Sequence, residues 1–217
     1  MKSLRTDRTR WLEILAVLAT ALGKFLFMDY LNWRFPFVIA AIVLWSTYII
    51  YQYRKQRDVL SHWGFTRNNF GKVVRMLLPF GLVAVVSFVF IGIYQGTINI
   101  TWHVIPILLT YPIWGTIQQF LLIALVGGNL QDLEKNRMNL HLIVISAAVI
   151  FALVHYPYYW LMGGTFLLAI LYGYIYMRAR NLYVLGLFHG ILAALFYYTV
   201  LDQDPFLNTF GTLLNLT

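Results

Sequence analysis

Apolar residues run through this chain in blocks near 20 residues long, separated by short polar stretches. That is the length an α-helix needs to cross a hydrocarbon core about 30 Å thick. Seven such spans are predicted, over residues 11–31, 37–53, 74–94, 104–126, 140–156, 164–177 and 182–201. The predicted fold class is all-α: a polytopic transmembrane helical bundle of about seven spans. The stretch 54–72 is the longest polar loop, and no internal repeat or low-complexity segment interrupts the pattern.

Composition supports the bilayer as solvent. Of 217 residues 60% are hydrophobic and only 11% charged, and the mean hydropathy is +0.70. A water-exposed surface needs about a quarter charged residues. The absence of cysteine excludes a disulfide framework, thiol catalysis and a Cys-ligated metal. The net charge of +8 does not indicate nucleic acid, because the basic residues cluster beside apolar runs, where an anionic leaflet attracts them. Lys2, Arg5, Arg8 and Arg10 precede the first run as in a signal peptide, and Ala19-Thr20-Ala21 offers a small-x-small site. Glu13 interrupts that run and the apolar stretch continues to Tyr30, so a retained first transmembrane helix is expected.

Loop charge then sets the orientation. With the N-terminus cytoplasmic, the inner side receives Lys2, Arg5, Arg8, Arg10, then Arg54, Lys55, Arg57, Arg67 and Lys72, then Lys135 and Arg137, then Arg178 and Arg180. The outer side receives Arg34 alone, with Asp202 and Asp204 past the last span. The expectation is a multi-pass cell-membrane protein with its C-terminus outside and an outer aromatic belt of Tyr156, Tyr158, Tyr159 and Trp160.

Polar side chains within spans are costly and so are candidate sites. Gln118 and Gln119 lie in the fourth span, His155 in the fifth and His189 in the seventh. Read blandly, they are interhelical hydrogen bonds worth ~0.6 kcal/mol each. Pro112 precedes the glutamines and can open its helix. Gly186 and Gly190 bracket His189 as G-x-x-x-G, a pattern that serves close helix packing at least as often as a site. Counted from the inner ends, Gln118 and His189 lie roughly 10–12 Å deep, and His155 is nominally ~8–12 Å further out. Phe151 and His155 share one helix face at i, i+4.

These residues carry a resemblance. Phe151-Ala152-Leu153-Val154-His155, followed by His189 after the turn Tyr176-Met177-Arg178-Ala179-Arg180-Asn181-Leu182, resembles the CAAX prenyl protease type II and bacteriocin-processing family of intramembrane proteases, also called CPBP or Abi. That family carries Glu-Glu-x-x-x-Arg, Phe-x-x-x-His and His-x-x-x-Asn on successive helices. The resemblance covers about 104–201. It divides the chain into N-terminal transmembrane helices and polar loop (1–103), a CPBP-like core (104–201) and a short tail (202–217). The Glu-Glu pair is here Gln118-Gln119, the Arg falls at Ile123 and the Asn at Ala193.

The resemblance implies an intramembrane endopeptidase that cleaves membrane-associated or prenylated peptides by water attack, with His155, His189, Gln118 and Gln119 as catalytic residues. A carboxamide cannot act as base, so that role falls to His155 or His189, with Gln118 orienting water or donating to an oxyanion. No cofactor is required. A metal at His155 and His189 would have two imidazoles and an amide oxygen, a poor zinc set. The alternative is a catalytically inactive relative that binds or scaffolds in the membrane, for example in bacteriocin immunity. A small transporter is disfavoured, because no paired inverted halves with broken helices appear.

Overall fold

The computed structural model describes residues 5–134 and 138–214. Lys2, Lys135 and Arg137 of the charge pattern lie outside the described residues. The fold is all-α. The elements are α1 (Asp7–Lys24), α2 (Arg34–Lys55), α3 (Val59–Trp63), α4 (Phe70–Gln95), α5 (Val104–Gln119), α6 (Asn129–Gln131), α7 (Leu140–Leu153), α8 (Tyr159–Arg178), α9 (Leu182–Thr199) and α10 (Pro205–Leu214). Wide π-helical turns extend α1 through Phe25–Tyr30 and join α5 to α6 through Phe120–Gly128.

Among the described residues, six continuous helices are long and apolar enough to cross a bilayer: Asp7–Tyr30, Arg34–Lys55, Phe70–Gln95, Val104–Gln131, Tyr159–Arg178 and Leu182–Thr199. The protein is a multi-pass membrane protein, and its surroundings are lipid. The fifth predicted span, 140–156, forms only the 14-residue helix α7. At 1.5 Å per residue it is about 21 Å long. The fourth runs past its predicted end at 126 because Gly127 and Gly128 do not break it. They are buried, and an added Cβ would meet Met177 at 2.9 Å and the Tyr176 ring at 3.4 Å. The sixth starts five residues earlier than predicted: Gly163 and Gly164 are tolerated within it and the aromatic residues Tyr159 and Trp160 form its first turn. Pro112 does not open α5, which continues to Gln119. The Thr116 hydroxyl donates to the Pro112 carbonyl at 2.7 Å.

The chain packs as two units, 1–68 with 118–182, and 69–117 with 183–217. In the first, long-range bonds sort the loops to two ends. At one end Asp7 accepts from the Glu134 backbone N–H at 3.1 Å. There too, Asn181 Nδ2 donates to the Thr66 carbonyl at 3.0 Å, and Leu182 N–H to the Gly64 carbonyl at 2.8 Å. At the other end Lys24 pairs with Asp29 at 2.6 Å and donates to the Tyr156 carbonyl at 3.1 Å. Short α7 therefore carries the chain from one end of this unit to the other. The basic residues Arg5, Arg10, Arg67 and Arg180 share the first end; Lys24, which the sequence pattern placed within a span, marks the second together with exposed Tyr30, Trp33, Tyr156, Tyr158, Tyr159 and Trp160.

The basic end is closed by polar clasps. Buried Glu13 pairs with Arg5, accepts from the Tyr48 hydroxyl and accepts from Asn129 Nδ2 at 2.7 Å. Arg180 donates to Asp132 at 2.8 Å and to the His62 carbonyl at 3.0 Å, and His62 Nε2 lies 3.0 Å from the second Asp132 oxygen. Burial would raise the Asp132 pKa, but the bonds from His62 and Arg180 outweigh it and lower the value to about 2.

In the second unit α5 and α9 cross at backbone contact. A Cβ added to Gly115 would lie 2.8 Å from the Gly186 carbonyl oxygen, and one added to Gly190 would lie 2.6 Å from Pro112 Cα. Ile107, Ala194 and Tyr198 form a fully buried core there, against which Phe206 of α10 packs. The stretch 202–217, expected as a short tail, thus contributes a helix.

Candidate functional site

Gln118, Gln119 and His155 belong to the first unit and His189 to the second.

In the first unit the contact of Gly127 with Ala147 fixes a common level: a Cβ on Gly127 would stand 4.0 Å from Ala147 Cβ. The π-helical stretch 120–128 and α6 both pack against α7. His155 lies eight residues beyond Ala147, and Gln119 eight residues before Gly127. Gln119 precedes the π-helical stretch 120–128, and His155 lies in the turn just after α7, not within that helix as the sequence pattern placed it.

The Phe151-x-x-x-His155 pair has a defined geometry. His155 Nδ1 lies 2.7 Å from the Phe151 carbonyl oxygen. A carbonyl only accepts, so Nδ1 carries the proton and Nε2 of the neutral ring keeps its lone pair. The buried Phe151 ring meets the imidazole edge-on at 5.1 Å. This contact holds the ring plane.

Gln119 is 0% exposed, and neither its carboxamide oxygen nor its nitrogen has a hydrogen-bond partner among the described residues. Tyr172 Oη and Trp63 Nε1 share that condition in the same unit. Each such group costs about 1–3 kcal/mol unless a ligand or water satisfies it.

In the second unit His189 is buried, and its Cδ2 would stand 3.0 Å from a Cβ on Gly115. The G-x-x-x-G around it is filled by Thr116 and Pro112 of α5, so its packing role is realised. Among the described residues no three His, Asp or Glu side chains gather as a metal-binding group.

One cluster escaped sequence reasoning. Asp204 accepts from His103 Nδ1 at 2.6 Å, Thr101 Oγ1 at 3.1 Å, Tyr198 Oη at 3.0 Å and the Phe206 N–H at 2.9 Å. Burial would raise its pKa, but His103, Tyr198 and Thr101 together lower it. The His103 ring stacks on Phe206 at 4.5 Å. The signal was present: His103 and Asp204 fall in segments the charge pattern assigns to one side. Asp204 also caps α10, so Asp204→Ala should cost about 1–2 kcal/mol. Hydrogen exchange should quicken across α10 and leave α4 unchanged. Equal quickening in both helices would show that the cluster holds the unit rather than α10. Because the Asp204 pKa is depressed, this contribution is full above the ordinary aspartate value of about 3.9 and disappears only as pH falls below it.

No model of a known protein family matches the chain, and no curated protein or solved structure matches it either.

Proposed function

We propose that this chain is an intramembrane endopeptidase of the CAAX protease and CPBP type, acting on membrane-associated or prenylated peptides. The observation that carries this reading is an imidazole whose Nδ1 is occupied by the Phe151 carbonyl, together with the fully buried Gln119 carboxamide of the same unit. Water is deprotonated by His155 Nε2 as its oxygen attacks the scissile carbonyl carbon. Gln119 donates to the carbonyl oxygen as negative charge develops there, where burial strengthens the bond. The proton then passes from Nε2 to the leaving nitrogen as the C–N bond breaks. Gln118 orients the water. His189 carries a second imidazole, tested separately. The clustering of basic residues at one end of the first unit supports an N-terminus in the cytoplasm and a C-terminus outside.

The test is cleavage of a prenylated CAAX peptide and a panel of membrane peptides by the full chain in detergent. His155→Ala should reduce cleavage about a hundredfold or more. Cleavage that survives both His155→Ala and His189→Ala overturns the assignment. A second reading, a peptide-binding relative without activity, draws on Glu13, the one buried carboxylate of the spans, being committed to Arg5, Tyr48 and Asn129. It predicts retained peptide binding, with no cleavage by any variant.

A further inference from the structure

The loop helix α3 is an unusual closure for a polar end. Val59 and Trp63 are each 1% exposed, although α3 is only five residues long and stands within the longest polar loop. Trp63 reaches inward. Its ring meets Phe120 edge-on at 5.0 Å and Tyr48 at 6.1 Å, beneath the Arg5 guanidinium at 4.8 Å. Phe120 follows Gln119 directly. The indole N–H has no partner among the described residues, so Trp63 is held as an apolar wedge and not by its polar atom.

The wedge is fastened from outside. Tyr176 Oη donates to the Trp63 carbonyl at 2.9 Å, Arg180 to the His62 carbonyl at 3.0 Å and Asn181 to the Thr66 carbonyl at 3.0 Å. Gly64, at φ 92°, lies under the Arg180–Asn181 backbone, where a Cβ would come within 2.9 Å of the Arg180 carbonyl carbon. The fastening is therefore a row of backbone acceptors met by one turn, 176–182, with Asp132 bracing Arg180 and His62. The backbone N–H groups of Val59, His62, Gly64 and Phe65 bond carbonyls of the same segment, those of Gln56, Asp58, Ser61 and Leu60, so the segment can move as one piece when the row releases.

We propose that Val59–Phe65 is a gate: a wedge that opens as a unit when the turn 176–182 lets go, and whose opening admits a membrane-associated peptide to Gln119 from the basic end. The peptide rests on the function proposed above; the opening does not. A peptide backbone offers both the donor and the acceptor that the Gln119 amide lacks, and an exposed Trp63 adds an apolar contact for its side chains.

The cysteine-free chain allows a direct test. Single cysteines are placed at Val59, at Gln119 and, as a control, at buried Ala148 of α7, in the full chain in phosphatidylcholine–phosphatidylglycerol nanodiscs. Labelling by a membrane-impermeant maleimide is timed with Arg180 intact and with Arg180→Gln. Loss of a charged clasp should speed labelling at 59 and 119 roughly tenfold or more while 148 stays protected. Acceleration at all three positions means the unit has loosened globally, and overturns the gate. Acceleration at 59 without 119 leaves α3 a surface flap, and overturns it too. No acceleration at 59 shows that the turn is not its fastening. These readouts do not depend on cleavage, so failure of the peptidase reading and failure of the gate are separable.

Discussion

Gly190→Leu is expected to prevent the second unit from folding. The glycine lies against the backbone of α5, and a Cβ alone would stand 2.6 Å from both Pro112 Cα and Tyr111 C. Backbone atoms cannot swing aside as a side-chain tip does, so α5 and α9 would have to separate. Overpacking a core costs about 1–3 kcal/mol when side chains can shift; here the loss should exceed that range. Helix association in lipid depends on this close packing, because lipid chains are as apolar as the helix faces and give little hydrophobic drive. Gly186 is under the same constraint from Thr116. The measurement is the unfolding midpoint in SDS titration, with Gly163→Ala as control, since nothing lies within 4 Å of a Cβ there. The control should stay within about 0.5 kcal/mol of the parent. A Gly190→Leu protein with the parent's midpoint would refute the crossing.

Glu13→Ala carries the second large effect. Both members of the Arg5–Glu13 pair are about 5% exposed at their side chains, so the substitution leaves a buried guanidinium without its carboxylate. It also strips acceptors from Tyr48 and Asn129. Breaking a buried pair from one side costs about 3–5 kcal/mol. Replacing both partners is different: Glu13→Leu with Arg5→Met removes both charges and should recover most of the loss, because desolvation no longer opposes folding. Thermal unfolding in detergent of Glu13→Leu, Arg5→Met and the double completes the cycle, with Glu13→Ala measured beside them. If Glu13→Ala costs less than about 1 kcal/mol, the clasp is not what closes this end. A double variant as unstable as Glu13→Ala would show that Tyr48 and Asn129, not the ion pair, dominate.

Much of the fold was legible because lipid imposes a coarse rule. A spanning helix must satisfy its own backbone and present apolar side chains over some 20 residues, and that rule needs no knowledge of neighbours. It placed α1, α2, α4, α8 and α9 within a few residues of their ends. It misjudged what depends on neighbours. Gly127 and Gly128 look like a helix end until Tyr176 and Met177 are seen to cover them. Residues 202–217 read as a tail until Asp204 is seen to cap α10 and Phe206 to meet the Ile107–Tyr198 core.

The candidate site divides the same way. Sequence by itself determined that Gln118, Gln119 and His189 sit within apolar helices, that Phe151 and His155 are spaced at i, i+4, and that amides stand where the motif it resembles has carboxylates. Those are matters of identity and helical period. Only tertiary structure decided that the Gln119 amide is fully buried without a hydrogen-bond partner among the described residues. It alone decided that Glu13 is spent on Arg5, that His103 meets Asp204 across 101 residues of chain, and that Trp63 of a polar loop is buried against Phe120. Each of these is a pairing between distant segments. A single sequence records the partners without their distances, and it is the distances that settle what a buried charge or an orphaned amide can do.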